Sequence, residues 1–411
     1  MRRTRTSWIG FLLALATCLM AAKPALATQH LVTPGNKWQT LEIRAQPGDE
    51  IILMPGNHRP VTLSNLTGAP GKPIIIRGLD PNHPPTIVAK RRGIVLHKPK
   101  HVIIKDIIIT GATLTGILVD NRVPDLTELF NPTTSTQQQQ QAWDANLLIR
   151  NVTVLKTGPE GKRHAIELRG LRDVRIIESE FEGWGGSAIE IVGSHNVLIE
   201  KCKFNELENF SQYHAIQVRA GSTRVNITNC QFDVDCEGVV SLGAVSRRND
   251  FCPSIPENAK ALSQYEARYI QLQHCVFKKG TYTIAMLHAD DCLIRNNTFI
   301  RPRSAVLGVT HITDVGVVAV AKRGIFGGNL VVWEPGDITR YVYFSPKIDQ
   351  TTFAIEQNLW WSSELAQNSK KLGELPQHGQ WPQIIDIDPK LDGQYRPTEQ
   401  KAALFGSQTR N

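Results

Sequence analysis

Three short runs decide the fold: HAIELRG at 164–170, SAIEIVG at 187–193 and HAIQVRA at 214–220. Each is followed by a segment of the form V-x-I-x-x-[S/C]-x-F, at 174–181, 197–204 and 225–232, so that Phe181, Phe204 and Phe232 lie 23 and 28 residues apart. The same frame returns at 270–277 and 292–299, and in weaker form at 147–154 and 102–109. A repeat of this length cannot bury an apolar face alone, whereas stacked copies can. The chain therefore reads as a solenoid.

Within each repeat the element is a strand. Apolar residues alternate in Ala165-Ile166-Glu167-Leu168-Arg169 and are rich in Ile and Val, and no comparable stretch has helical periodicity. In V-x-I-x-x-C-x-F the alternation skips once, which predicts two short strands joined by a bend. Asn151, Asn229 and Asn296 occupy that bend and tolerate the left-handed conformation of a tight corner. Glu178, Lys201 and His274 occupy it in other repeats.

These repeats resemble the right-handed parallel β-helix of pectate-lyase-like proteins over residues 56–361, and PGKPIIIRG at 70–78 has a form common in the first coils of such proteins. The resemblance implies an all-β solenoid of a kind that hosts lyases, hydrolases, isomerases and non-catalytic adhesins. It also implies that Asp388-Pro389-Lys390-Leu391 and Tyr395-Arg396-Pro397 belong to a closing tail, which makes Asp388 and Arg396 structural. The N-T-D, D-D, G-H-G and R-I-K set of polygalacturonase-like enzymes is absent. So are the W-I-D-H signature of pectate lyases and the asparagine, paired-glutamate, lysine and arginine arrangement of chondroitinase B-like alginate lyases. Asp290-Asp291 and Arg301-Pro302-Arg303 are isolated echoes, and no family catalytic residue carries over.

The ends of the chain bound its setting. Arg2, Arg3 and Arg5 precede an apolar run at 8–20, and Ala25-Leu26-Ala27 offers a small-residue cleavage site, so residues 1–27 read as an export signal. The run is too short for a membrane anchor, and the expected location is secreted or periplasmic. Removing Arg2, Arg3, Arg5 and Lys23 lowers the formal charge from +8 to +4, which is compatible with a polyanionic partner. Dense basic patches interleaved with aromatic residues are missing, which argues against nucleic acid. Residues 28–93 read as a cap and first coils, 94–361 as the β-helix, and 362–411 as a tail packing on the last coils.

Of the cysteines beyond residue 27, Cys202, Cys230 and Cys275 share one inward position of the repeat. Cys236 and Cys252 flank a strand and an inserted loop, and are the expected disulfide of an exported protein. Two insertions, 122–142 and 245–268, interrupt the period; both follow the polar-bearing strand, so both are expected to wall the same side. The first contains five consecutive glutamines, Gln137 to Gln141.

Successive coils of a solenoid place equivalent residues about 4.8 Å apart. Aligning the polar-bearing strands puts His97, Asp120, Arg169, Val192, Arg219, Gly243 and His288 in one outward column. Val95, Leu118, Glu167, Glu190, Gln217, Ser241 and Met286 form its neighbour. Glu167 beside Glu190 demands compensation. Arg169 and Arg219 can supply it in an ion network, a Ca²⁺ can bind Glu167, Glu190 and Gln217, or the two carboxylates can act as a glycosidase pair. His164 and His214 sit at the turn before their strands with Ser187 between them.

The function expected is an exported protein acting on an acidic, uronate-containing polysaccharide by β-elimination. Its alternatives are a non-catalytic carbohydrate-binding protein and a glycoside hydrolase. Arg169 and Arg219 suit the carboxylate, His288 or His214 the proton abstraction, and Tyr213 the leaving oxygen, with Glu190 and Trp184 beside them.

Overall fold

The computed structural model describes residues 27–38, 44–122, 144–255, 264–312, 318–363, 383–385 and 387–407. Residues 1–26 of the expected export signal, all but the first residue of the 122–142 insertion including its glutamines, and part of the tail lie outside them. Among the described residues no helix is long and apolar enough to cross a membrane.

The strands wind as a parallel β-helix. Ten strands form a front sheet, running from Val61–Ser64 through Arg92–His97, Thr115–Asp120, His164–Arg169, Ser187–Val192, His214–Arg219, Gly238–Leu242, Tyr282–Leu287 and Ala305–Thr310 to Val342–Phe344. The V-x-I and x-F segments supply a second, larger parallel sheet that turns the back corner of every coil. Ile166, Ile189 and Ile216 are in register and fully buried, as the alternation requires.

At the back corner every repeat adopts the left-handed conformation, whatever the residue: Asn151, Glu178, Lys201, Asn229, His274, Asn296 and Gln357 have φ between 50° and 57°. The geometry of the turn therefore overrides the side-chain preference that made asparagine the sequence cue. The next residue points inward and satisfies the backbone of the corner. Val152 N donates to Ser179 Oγ (3.3 Å), Cys230 N to Cys275 Sγ (3.4 Å) and Cys275 N to Asn297 Oδ1 (3.0 Å). The series continues from Asn297 N to Asn329 Oδ1 (2.9 Å), from Asn329 N to Asn358 Oδ1 (3.0 Å) and from Asn358 N to Gln383 Oε1 (3.1 Å). Cys202, Cys230 and Cys275 thus form the buried column that the repeat predicted, but they do more than fill space. Their thiols donate to the carbonyls of Ile176, Ile199 and Ile227 one coil away.

Beside this ladder the phenylalanines stack. Phe181, Phe204, Phe232, Phe277, Phe299 and Phe326 lie ring on ring with centroid separations of 5.1, 4.6, 4.5, 5.0 and 5.7 Å. The coil spacing imposes these separations, which suit offset stacking of one ring type along the column.

The expected disulfide is corrected: Cys236 and Cys252 are both free. They lie before and after the strand Gly238–Leu242, whose five residues span roughly 16 Å, well beyond the Cα range a disulfide bridges. Cys236 belongs to the main core, whereas Cys252 packs against the front corner at Gly170 and Gly193.

The insertions do leave one corner. The first follows Thr115–Asp120 and the second follows Gly238–Leu242, and the latter ends where the strand Ala267–Gln273 begins. A third excursion, which the sequence reading passed over, follows Ala305–Thr310. Its Val318 joins Val192, Ala220, Phe251 and Ile255 in a small apolar cluster that fastens these segments to the helix. Gly193 (φ 55°) permits that approach, since a Cβ there would stand 2.9 Å from Cys252 Cβ and 3.0 Å from the Asp250 carbonyl.

The tail packs on the last coils and then runs back along their flank. Ala402 and Phe405 cover Leu330 and Leu359, while Ser407 N donates to Thr298 Oγ1 (2.8 Å) and Ser407 Oγ to the His274 carbonyl (2.8 Å).

Phe232→Ala removes a ring held between two others and is expected to cost about 3–5 kcal/mol. Denaturant unfolding of the variant, compared with an exposed control such as Leu404→Ala, checks this; equal midpoints would contradict the stack's role.

Candidate functional site on the front sheet

The register brings the sequence-selected acids together. Glu167 pairs with Glu190 and Glu190 with Gln217 on adjacent front strands, while Arg169, Val192 and Arg219 form the next column. Arg219 Nε donates to Glu190 Oε1 (2.5 Å) and Ser187 Oγ to Glu190 Oε2 (2.7 Å). Arg169 forks onto Glu167 Oε1 from its own strand. The like-charge stack is thus compensated by arginines, the first of the three readings that the sequence left open.

The other two readings meet groups that are already engaged. Of the carboxylate oxygens that a Ca²⁺ on Glu167, Glu190 and Gln217 would use, Glu167 Oε1 and both oxygens of Glu190 accept from Arg169, Arg219 and Ser187, and among the described residues no group of three or more His, Cys, Asp or Glu is placed to hold a metal ion. A glycosidase pair needs one carboxyl protonated. Burial opposes ionisation of Glu190, but His164 when it is protonated, the Arg219 cation with its hydrogen bond, and the Ser187 hydroxyl hold the carboxyl below its ordinary range. Glu190 is only 2% exposed.

The second insertion closes onto this pair through residues that sequence reasoning missed. Arg219 Nη1 reaches Ser246 Oγ (3.2 Å) and Asp250 Oδ2 (3.3 Å), and Asp250 Oδ1 meets Arg122 Nη1 (3.6 Å) at the mouth of the first insertion. Arg122 Nε in turn donates to Asp120 Oδ1 (3.1 Å). Behind Ser246 lies Glu266, fully buried, accepting from Ser246 N (2.8 Å), Ser246 Oγ (2.6 Å) and Ala220 N (2.7 Å). Burial pushes the Glu266 carboxyl above its ordinary value, against those donors and Arg219. Burial also works against the Arg219 cation, but Glu190 and Asp250 more than offset it. The charge run Arg247-Arg248-Asn249-Asp250 was visible in the sequence, but its partners depend on how the loop returns.

Beside the acids stand the two histidines. Thr115, His164, Ser187 and His214 begin successive front strands in register, with Gly185 and Gly186 opening the turn next to them. Ser187 N donates to His164 Nδ1 (3.1 Å), which fixes that nitrogen as an acceptor. His214 Nδ1 faces the Gly238 carbonyl at 2.8 Å and so carries a proton. Burial lowers the His214 pKa, with the Gly238 carbonyl and Glu190 acting against it. The side-chain amide of Gln217 spans from His214 to Glu190. Oriented to suit the carboxylate, it donates to Glu190 Oε2 (3.0 Å) and Oε1 (3.1 Å) and accepts from His214 Nε2 (3.2 Å). That orientation requires a proton on Nε2 as well, so the set of His214, Gln217 and Glu190 is built to receive one.

Several expected members are elsewhere. His288 is not in the outward column. Ser241 pairs with Ala285 and Leu242 with Met286, one residue out of the expected phase, so Met286 turns into the core and Ala285 takes its place. His288 falls past the strand end, 1% exposed, with Nδ1 on the Ala319 carbonyl (3.0 Å) and its ring edge-on to His311. The signal was there: Ile284 and Met286, two apart, are the inward pair, and half-buried Leu287 disguised it. Trp184 is a core residue with no exposed surface, its Nε1 donating to the His214 carbonyl (2.7 Å). It supports the histidine from below and meets no ligand. Tyr213 is 51% exposed next to His214. The Arg169 side chain is 31% exposed and that of Arg219 16%. Arg169 is therefore the guanidinium that solvent reaches.

A family model described as the right-handed β-helix region matches residues 92–246 and 140–299, which together span just over half of the chain. A mannuronic acid specific polysaccharide family 6 lyase from human gut microbiota superposes with a TM-score of 0.51 at 12% identity, covering 88% of this chain and 92% of that one. A family 6 polysaccharide lyase from Pseudopedobacter saltans gives 0.51 at 10% identity over 93% and 96% of the two chains. A rhamnogalacturonan lyase gives 0.50 at 12% identity over 81% and 87%. At these identities the likeness is one of fold. No curated protein sequence matches the chain.

The pH dependence of stability follows from the signs of these shifts. His195, His214, His274 and His288 have pKa values lowered by burial from 6.5, so their contribution is full above that value and is lost as pH falls through the depressed ones. Glu190, lowered from 4.5, adds a further loss in the carboxylate range, whereas Glu266, raised, gains stability on protonation. The melting temperature should be flat above neutrality and fall on acidification from about pH 6.5, and Glu266→Gln should steepen the fall. A melting temperature that rises between pH 7 and 5 would contradict this assignment.

Proposed function

The chain belongs to the right-handed β-helix family, and from that premise we propose that its front sheet binds an acidic, uronate-containing polysaccharide and cleaves it by β-elimination. The observation that carries this reading is that one face of the front sheet presents three groups suited to it: the His214 imidazole and the exposed Tyr213 phenol at the start of one strand, and the part-exposed Arg169 guanidinium two strands away toward the other end of the register. The structural relatives of matching length are named as lyases of mannuronic acid and rhamnogalacturonan polymers, which supports the choice of reaction.

Elimination requires that a uronate carboxylate be neutralised, the neighbouring ring proton removed and the leaving oxygen protonated. Arg169 pairs with the carboxylate and makes the C5 proton acidic. His214, kept neutral by burial and fixed through Nδ1–H on the Gly238 carbonyl, takes that proton at Nε2. Once Nε2 carries the proton it donates to the Gln217 carbonyl while the amide donates to Glu190, so proton uptake by His214 is coupled to the orientation of the Gln217 amide. Tyr213 gives its phenolic proton to the departing oxygen as the C4–O bond breaks and the C4–C5 double bond forms. Arg219, committed to Glu190, Ser246 and Asp250, is a positioning residue. The basic and apolar start of the chain fits export to where such polymers are met.

One observation favours a second reading, a binding face without turnover: Glu190 and Arg219 neutralise one another and leave no unpaired charge at the centre. Alginate, polygalacturonate and rhamnogalacturonan, each assayed for ultraviolet-absorbing unsaturated ends and for reducing ends, separate the cases. His214→Ala should lower kcat by about 10²-fold or more, and Arg169→Ala should raise KM as well. Reducing ends without new absorbance would mean hydrolysis, retention of polymer with neither signal would mean binding alone, and full activity in His214→Ala would remove the proposed base.

A further inference from the structure

The column that carries Glu167, Glu190 and Gln217 does not stop at the charged cluster. Continued by the strand register, it passes through Ser241, Ala285 and Gly308 and ends on Tyr343. After the large polar groups come a hydroxymethyl, a methyl and a hydrogen, which leave the sheet surface bare. On that surface two aromatic rings lie close together. Tyr282 leans over Gly308, where a Cβ would stand 2.8 Å from Tyr282 Cδ1 and 3.1 Å from Cγ. Its ring stacks on Tyr343, with centroids 6.1 Å apart and planes inclined by 28°. Arg340 lies over the Tyr343 ring, its guanidinium carbon 4.9 Å from the centroid. Both tyrosines are half-buried and Arg340 is exposed, with no acidic partner among the described residues.

We propose that Tyr282, Tyr343 and Arg340 form a distal glycan subsite that holds one pyranuronate unit of the same acidic chain, its ring on the tyrosines and its carboxylate on Arg340. The inference rests on the reading that the front sheet takes an acidic polysaccharide, and it adds where and by what chemistry the chain is gripped away from the cleavage point. Three arguments carry it. A tyrosine pair held open by a glycine floor offers a rigid apolar face with polar rims, which suits the axial C–H face of a sugar ring. An unpaired guanidinium fixed over one of those rings is placed for a planar carboxylate, which it can meet with two parallel N–H bonds. The subsite is also collinear with the cluster: Tyr282 follows His214 by two strand steps, roughly 10 Å, and Tyr343 follows Gln217 by four, roughly 19 Å. A polymer lying along the strand-stacking direction would meet both, whereas a short oligomer at His214 would not reach Tyr343.

The test compares full-length wild type with Tyr343→Ala, Tyr343→Phe, Arg340→Glu and Arg169→Ala by affinity electrophoresis through alginate, polygalacturonate and neutral xylan, and by calorimetric titration of uronate oligomers of graded length. Tyr343→Ala should weaken polymer binding about tenfold, while Tyr343→Phe, which keeps the ring, should bind as wild type. Arg340→Glu, an exposed change that leaves the fold intact, should weaken uronate polymers by a similar factor. The shortest bound oligomers should be unaffected by all three changes and weakened by Arg169→Ala. Undiminished polymer binding in both Tyr343→Ala and Arg340→Glu, with Arg169→Ala defective, would overturn the distal subsite and leave the proposed function standing. Wild type that binds no acidic polymer would overturn both, and equal loss for the shortest and longest oligomers would show a structural effect instead of a subsite.

Discussion

Every feature of this molecule depends on one constraint: the peptide groups of each coil hydrogen-bond to the coils above and below, so side chains of equivalent residues must coexist at the strand spacing. Inside the helix that spacing suits identical groups, which is why phenylalanines stack on phenylalanines. The same rule at the back corner makes a ladder in which Ser179, Cys275, Asn297, Asn329 and Asn358 each accept from the coil before. The chemical identity changes along the column, but the function of the position does not. The tail contributes Gln383 as the last rung, so the amide of Asn358 is not left without a partner where the coils end.

Outside the helix the same spacing is a liability for charge. Glu167 and Glu190 are neighbours because their strands are, and the sequence resolves the conflict by setting Arg169 and Arg219 in the adjoining column. Neutralising a buried carboxylate with a buried guanidinium is costly unless the remaining hydrogen-bonding sites are also filled. Ser187, Ser246, Asp250 and Gln217 fill them, and two of these come from the insertion. The loop therefore owes its position to the same electrostatics as the site.

The fold was legible because its signals are local and repeated. The V-x-I-x-x-[S/C]-x-F frame fixes strand phase for five coils, and one glance at its phenylalanines gives the register of the back corner. The front sheet was legible where glutamates and arginines marked the outward positions. It failed at Tyr282–Leu287, where Thr283, Ile284, Ala285, Met286 and Leu287 offer no charged residue to set the phase, and a one-residue slip carried His288 onto the wrong face. The disulfide failed for a different reason: closeness in the chain says nothing when a strand intervenes. Ser246, Asp250 and Glu266 could not be placed at all, because their partners are set by a loop closing over a corner and not by any period.

A solenoid can lengthen a surface without deepening it, and this shapes what its face can recognise. Depth is added only where insertions rise, and here the described part of the second insertion and the segment after Ala305–Thr310 are held against Val192 and Ala220 by Phe251, Ile255 and Val318. Farther along the stack the outward positions shrink to Ser241, Ala285 and Gly308 before the tyrosines begin. Such a gradient, from charged to bare and then aromatic, suits the polymer proposed above better than a ligand the size of one sugar, because a linear repeat presents the same chemistry again after each step along the sheet.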